Sequence, residues 1–287
     1  MDESMTDDNR ILAVDRGTQG REIHRTRDRL LLDSVCMRLE RQGYSVERID
    51  EGDLESLEHA PPRIISMAQA PRNTARLSEL EAEGVIVVNS FASVLQTYRS
   101  FLTIAMARRP QLPFARGAVM TSLDPNEFDP QIDILFDRFR SGLGLPFWLK
   151  RGDVHAAHEN DVQLVGSRDA FVAGIVELRQ RGVETAVVQK HIEGDVFKFY
   201  AVAGGRFFHL TSFESGDPVI GGDQVLENLA MHTGDYLDLT VFGGDAVRSS
   251  SGWILIDVNA WPSFGTVREA GAQAIVDALL ERFADVQ

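Results

Sequence analysis

Cysteine is nearly missing from these 287 residues, and the one thiol, Cys36, has no partner with which to close a bridge within the chain. Nothing here is stapled by disulfides. Cys36 lies in the run Leu30-Leu31-Leu32-Asp33-Ser34-Val35-Cys36-Met37, with no thiolate-stabilising pattern around it. It reads as a buried thiol in a reducing compartment. Positive charge is scarce too: 29 Lys+Arg against 43 Asp+Glu leave a formal net charge of −14. Binding to nucleic acid or to an anionic membrane draws on a surplus of Lys and Arg, so neither is the expected partner. An anionic ligand must instead be held by a few placed cations. No apolar run reaches the roughly 18 residues that a membrane span requires. The acidic opening MDESMTDDNR has no cationic or apolar stretch of a signal peptide, so the expected compartment is the cytoplasm. Internal repeats and low-complexity tracts are lacking. So are a Walker lysine after Ser141-Gly142-Leu143-Gly144, a G-x-S-x-G elbow and zinc spacing among the seven histidines.

What is present is a core-forming composition, 44% hydrophobic and 25% charged. The length suits about two domains or one large α/β unit. Residues 1–10 read as a disordered lead-in. Strand patterns follow at 11–15, 45–49, 63–67 and 85–88, with helical patterns at 24–42 and 74–83 between them. This alternation predicts an open, mostly parallel α/β domain over 11–90. Beyond it, helices are expected at 91–108, 129–141, 168–181, 223–232 and 266–284. Strands are expected at 115–121, 146–150, 162–165, 185–192, 196–202, 206–212, 236–247 and 253–259. Ala203-Gly204-Gly205 is the tight turn of a hairpin. The second half therefore changes from βα alternation to antiparallel strands flanked by helices, an α+β pattern within an α/β protein.

The chemistry concentrates near the C-terminus, in Gly243-Gly244-Asp245 and Trp253-Ile254-Leu255-Ile256-Asp257-Val258-Asn259-Ala260-Trp261-Pro262. Asp257 and Asn259 are two apart on a strand and point to one face. Asp245, near the end of the neighbouring strand, meets them if residues 249–252 form a turn. Two carboxylates and an amide oxygen form a hard donor set suited to Mg²⁺ or Mn²⁺ carrying nucleotide phosphates. On the residues alone, strand-end capping that fixes the turn at Pro262 accounts for Asp257 and Asn259 equally well. Upstream, Lys150 closes an apolar strand. A second strand then runs into Gln189-Lys190-His191-Ile192-Glu193-Gly194-Asp195 and on to Val196-Phe197-Lys198-Phe199.

Taken in order, the lysine strand, the Q-K-H-I-E-G-D hinge and the Asp…Asp-x-Asn ending resemble the ATP-grasp superfamily. That superfamily is the fold of glutathione synthetase, D-alanine–D-alanine ligase, the ribosomal-protein glutamate ligases and the inositol trisphosphate 5/6-kinases. The resemblance covers about residues 90–287, with 11–90 as the preceding substrate-side domain. It implies a small lid lobe over 91–184 and a large lobe with the metal site over 185–287. By resemblance, Lys150 and Arg99 grip the nucleotide phosphates, and the backbone of Gln189, Lys190, His191 and Ile192 reads adenine. Asp195 meets the ribose, Lys198 meets the terminal phosphate or the acceptor, and Arg248 approaches the transferred phosphate. Asp245, Asp257 and Asn259 resemble the ligands of two Mg²⁺ (or Mn²⁺) ions. Homodimers are common in the superfamily.

Three departures stand out. The loop between the small-lobe strands, residues 151–161, has a single glycine where the superfamily uses several, and carries His155 and His158 instead. A loop histidine there is a feature shared with the inositol phosphate kinases. Phe213-Glu214-Ser215 stands where many ligases place an arginine, and Asn259-Ala260-Trp261-Pro262-Ser263 replaces the Asn-x-x-Pro-Gly ending. The resulting expectation is a Mg-ATP-dependent carboxylate–amine ligase working through an acyl phosphate on a small-molecule, amino-acid or peptide substrate. A small-molecule kinase is the alternative, and a non-catalytic nucleotide-binding protein is the third reading.

Overall fold

Strand β1 (Arg10–Asp15) is sunk on both sides, with Ile11, Leu12, Ala13 and Val14 at 0–1% exposure. Such a strand needs a layer on each face. In the computed structural model, which describes residues 9–17, 22–154, 158–219 and 222–284, it has both. It lies between β2 (Ser45–Asp50) and β3 (Arg63–Ser66), with β4 (Ile86–Val88) beyond β3; every pairing is parallel. Ile11, Ala13, Ile65 and Val88 face α1 (Glu22–Arg41) and the C-terminal helix. Leu12, Val14, Ile64 and Val87 face α2 (Pro71–Ala82). The period-two alternation of the strands divides their side chains between these two cores.

The helix expected over 91–108 is two helices, α3 (Phe91–Thr97) and α4 (Arg99–Ala107), separated by Tyr98 in an extended conformation. Tyr98 is buried, and its hydroxyl donates to the Gln69 carbonyl at 2.7 Å. That anchor turns the chain and starts a fresh helix at Arg99.

The small lobe is an antiparallel sheet in the order β5 (Gly117–Met120), β8 (Ala186–Lys190), β6 (Phe147–Arg151), β7 (Val162–Val165). Its outer face is closed by a short α5 (Pro125–Phe128), α6 (Ile132–Leu143) and α7 (Arg168–Gln180) over an aromatic cluster. Phe147 and Phe171 meet edge to face there, at 5.9 Å. The expected lobe boundary at 184/185 moves. Strand β8 lies inside the small-lobe sheet, between β5 and β6. Its apolar Val187 and Val188 can be buried on both sides only in such an inner position. In the other direction, α3 and α4, expected in the small lobe, pack on the large-lobe core through Val94, Leu102 and Met106.

The large lobe is antiparallel too, in the order β10 (Phe207–Ser212), β9 (Asp195–Val202), β11 (Val241–Ser249), β12 (Gly252–Ala260). Residues 236–240, expected in a strand, instead end α8 (Gln224–Tyr236) and turn into β11. Leu226, Leu229, Ala230 and Leu237 share the core beneath that helix, and their burial carries the helix past residue 232. Phe197, Phe199, Ala201, Phe242, Leu255 and Val258 face this core. On the opposite face Tyr200, Val202 and Val241 pack against α9 (Arg268–Ala284) and α1.

The N-terminal domain is welded to the large lobe. Asn89 donates to the Val241 carbonyl at 2.7 Å and accepts from the Thr240 and Val241 amides. Arg16 donates to the Trp261 carbonyl at 2.7 Å, and the Trp261 indole donates to the Val88 carbonyl. The small lobe hangs on a narrower connection. Ala115 N–H donates to the Leu255 carbonyl at 2.8 Å, and Leu255 N–H donates to the Pro113 carbonyl at 2.9 Å. Among the described residues, no helix is long and apolar enough to cross a membrane.

Candidate functional site

The site begins with a bulge. On β12 Asp257 stands opposite Asp245, but Leu255 stands opposite Ala246, so Ile256 is one residue more than β11 can match. A bulge lets Leu255 and Val258, three apart, both return to the apolar face. Asp257 and Asn259 are thereby turned to the other face, opposite Asp245 and Gly243. Lys198 on β9 stands opposite Asp245 on that face, and its Nζ donates to Asp245 Oδ1 at 2.7 Å. The phenyl ring of Phe213 covers the same ammonium at 5.3 Å. Gly244 is glycine because a Cβ there would run into the Asp257 carbonyl and the Phe199 ring. The three expected metal ligands thus share one face with Lys198.

Cations approach this face from two other elements. Arg99, at the start of α4, is 7% exposed, and its Nη2 lies 3.4 Å from Asp257 Oδ2. Its Nε and Nη1 are buried and find no hydrogen-bond partner among the described residues. Buried guanidinium donors left unmade cost stability, and they are suited to an anionic oxygen. Lys150 stands on the inner face of the small-lobe sheet, 7% exposed, with Nζ donating to Gln189 Oε1 at 2.6 Å and to the Ile256 carbonyl at 3.4 Å. Burial pushes its ammonium down to about 8, Asp257 pulls it back up and Arg99 pushes it further down. Lys198 goes the other way. Burial opposes its charge, but the Coulombic attraction and hydrogen bond of Asp245 prevail and hold it above the ordinary lysine value.

The remaining expected residues divide. Lys190 has its amide bonded to the Arg116 carbonyl while its side chain is exposed. His191 packs 5.9 Å from the Trp148 ring, its Nδ1 buried and without a hydrogen-bond partner among the described residues, and Ile192 follows it out of the sheet. Gln189 differs from expectation. Its backbone lies within β8, opposite Gly117 and Trp148, and the part of it that reaches the site is the side chain. Arg248 and Asp195 are corrections. They stand opposite each other in the ladder, Arg248 three residues from Asp245 on β11 and Asp195 three from Lys198 on β9, and so lie on the other face. Arg248 stacks over Phe197 at 5.0 Å and Trp253 at 5.9 Å, and lies 3.5 Å from Asp195. His155 lies outside the described residues. His158 accepts from the Asn160 amide at 3.2 Å and caps the turn before β7.

Sequence reasoning missed the Gln189 side chain and the break at Tyr98 that aims Arg99. Both depend on contacts between residues far apart in the chain. The donor chemistry fits Mg²⁺. Two carboxylates and an amide oxygen share a face, which matches the preference of Mg²⁺ for few protein ligands. Among the described residues, no group of three or more His, Cys, Asp or Glu side chains is placed to hold a metal ion. A metal ion here would need the Asn259 amide and oxygens from outside the protein to complete a shell.

No family model and no curated protein matches the chain. Solved structures do. A RimK domain ATP-grasp protein from Sphaerobacter thermophilus is 20% identical, with a TM-score of 0.68 over 94% of this chain and 99% of its own. D-alanine–D-alanine ligase from Bacillus anthracis complexed with ATP is 12% identical, with a TM-score of 0.70 over 96% and 98%. D-alanyl-alanine synthetase A from Vibrio cholerae is 11% identical, with a TM-score of 0.69 over 95% and 98%. At these identities the likeness is one of architecture, and across nearly its whole length the chain has the ATP-grasp fold.

Proposed function

We propose that this protein is a Mg-ATP-dependent carboxylate–amine ligase. The observation that carries the reading is that Arg99 lies against Asp257, Lys198 against Asp245, and Lys150 against the Ile256 carbonyl beside Asp257, with Asn259 on the same face as both aspartates. Three cations and an oxygen-donor set come together between two sheets of a protein with a net charge of −14. Phosphoryl transfer asks chiefly for positioning and charge neutralisation, which this arrangement supplies without a nucleophilic side chain. Arg99 and Lys150 hold the nucleotide phosphates, and the strand exit at 190–192 receives the base. Lys198, covered by Phe213, meets the terminal phosphate. Asp245, Asp257 and Asn259 are the ligands for Mg²⁺, which when bound neutralises phosphate charge.

In this reading a substrate carboxylate oxygen attacks the γ-phosphorus, and the bond to the ADP oxygen breaks. An amine then attacks the acyl carbon, loses a proton, and orthophosphate leaves. The test supplies Mg-ATP with mixed amino acids and short peptides. Orthophosphate released only when acid and amine are both present supports the ligase. ADP without orthophosphate, with a new phospho-product, replaces it with a kinase. Tight Mg-ATP binding without turnover in any pool leaves a nucleotide-binding protein.

A further inference from the structure

Gln189 is 3% exposed, on the central strand of the small lobe, yet both ends of its amide are engaged across the cleft. Oε1 accepts from Lys150 Nζ at 2.6 Å, and Nε2 donates to the Ile256 carbonyl at 3.2 Å. Only one orientation of the amide serves. Reversed, it would set NH₂ against an ammonium and oxygen against a carbonyl. The partner in the large lobe is itself unusual, because Ile256 is the extra residue of the β12 bulge. A bulge releases backbone groups from the ladder, and this carbonyl accepts from Lys150 as well, at 3.4 Å. Ladder register explains the reach. Gln189 lies opposite Trp148, two residues from Lys150 on the same face, so the two side chains are diagonal neighbours. The same bulge therefore turns Asp257 toward the site and provides the point on which the small-lobe cation rests.

We infer that Gln189 is a positioning residue. It holds the Lys150 ammonium in line with the nucleotide phosphates and, through the Ile256 carbonyl, sets the small lobe in register with the metal-binding strand. The inference rests on the nucleotide-binding reading of the site. A lysine is a flexible point charge that acts at full strength only where its stem is held. Among the described residues, the hydrogen-bond partners of Lys150 are the Gln189 amide and the Ile256 carbonyl and no carboxylate, so a neutral amide does the holding.

The experiment measures Mg-ATP affinity of the full chain by calorimetry, with melting temperature alongside. Gln189→Leu, which removes donor and acceptor at similar volume, is expected to weaken binding at least about tenfold, as hydrogen bonds to charged groups do. Gln189→Glu keeps an acceptor for Lys150 but sets an oxygen against the Ile256 carbonyl, and is expected to fall between wild type and Gln189→Leu in affinity. In a Lys150→Met background, Gln189→Leu is expected to change affinity less than about twofold, because the group it positions is gone. If Gln189→Leu does not fold, Gln189→Asn, one methylene too short to reach both partners, replaces it with the same expectation. Wild-type affinity in the Leu or Asn variant overturns the positioning role alone. So does an equal loss with and without Lys150. Failure of the wild-type chain to bind Mg-ATP overturns the nucleotide reading, and the positioning role with it.

Discussion

The two lobes each present one lysine to the cleft, Lys150 buried and Lys198 half-buried, and the two are held in opposite ways. Lys198 of the large lobe is ion-paired with Asp245 at 2.7 Å, and its ammonium is held above the ordinary lysine value. Lys150 of the small lobe is hydrogen-bonded to a neutral amide and a carbonyl, and burial drives it down to about 8. Depth and partner act together: the deeper lysine has only neutral partners and is pushed down, and the half-buried one has a carboxylate and is held up. The contrast suits different tasks. A lysine already neutralised by a carboxylate stays in place, whereas a desolvated lysine without an anion gains most when a phosphate arrives.

The comparison can be broken in four ways, beginning with the largest effect. Asp257→Asn removes a carboxylate that lies against Arg99 and belongs to the proposed metal set. ATP turnover should fall by at least about a hundredfold with the fold retained, as read by phosphate release and circular dichroism. Undiminished turnover would show that this face is not where nucleotide is processed. Lys150→Met should weaken Mg-ATP binding about ten- to a hundredfold, a larger loss than Gln189→Leu in the same titration.

The third test uses pH and no ligand. The folded value of Lys150 lies below 10.5, so between about pH 8 and 10.5 the unfolded chain binds more protons than the folded one. Its contribution to stability therefore rises with pH in that window. Lys198, held above 10.5, contributes stability that is complete below that value and is lost as pH climbs through its raised value. Melting temperatures against pH should show the wild type gaining on Lys150→Met from pH 8 upward. Against Lys198→Met, the wild type should lose ground only above about pH 10.5. Parallel curves for the two variants would erase the contrast between the lobes. The smallest effect is expected at Arg248, on the far face over Phe197 and Trp253. Arg248→Ala should leave ATP turnover within about twofold of wild type in the same phosphate assay, and a drop beyond tenfold would return Arg248 to the site.

Much of this was legible in the order of residues. The alternation of β1 and its neighbours, the hairpin at 203–205 and the Asp257-x-Asn259 pair on an apolar strand are local patterns, and local sterics enforce them. The expectation that placed Arg248 at the transferred phosphate overlooked such a pattern, since an odd separation from Asp245 puts it on the opposite face by period two alone. Other features had no local signal. Strand β8 reads equally well in either lobe until its two partners are known. The break at Tyr98 follows from a hydroxyl that finds Gln69, 29 positions earlier. Ile256 looks like any other strand residue until β11 is laid beside it.

Sequence by itself determined the element types, the apolar faces that must be covered, and the kinds of groups available for chemistry. Each of these follows from backbone sterics and from the free energy of taking a given side chain out of water. Tertiary structure alone decided which groups meet. It set Asp245 against Lys198, aimed Arg99 at Asp257, and used the bulge at Ile256 to join Lys150 and Gln189 to the opposite lobe. The physical reason is that hydrogen bonds and charge pairs act over a few ångströms, and only the packing of distant segments brings those atoms within that range.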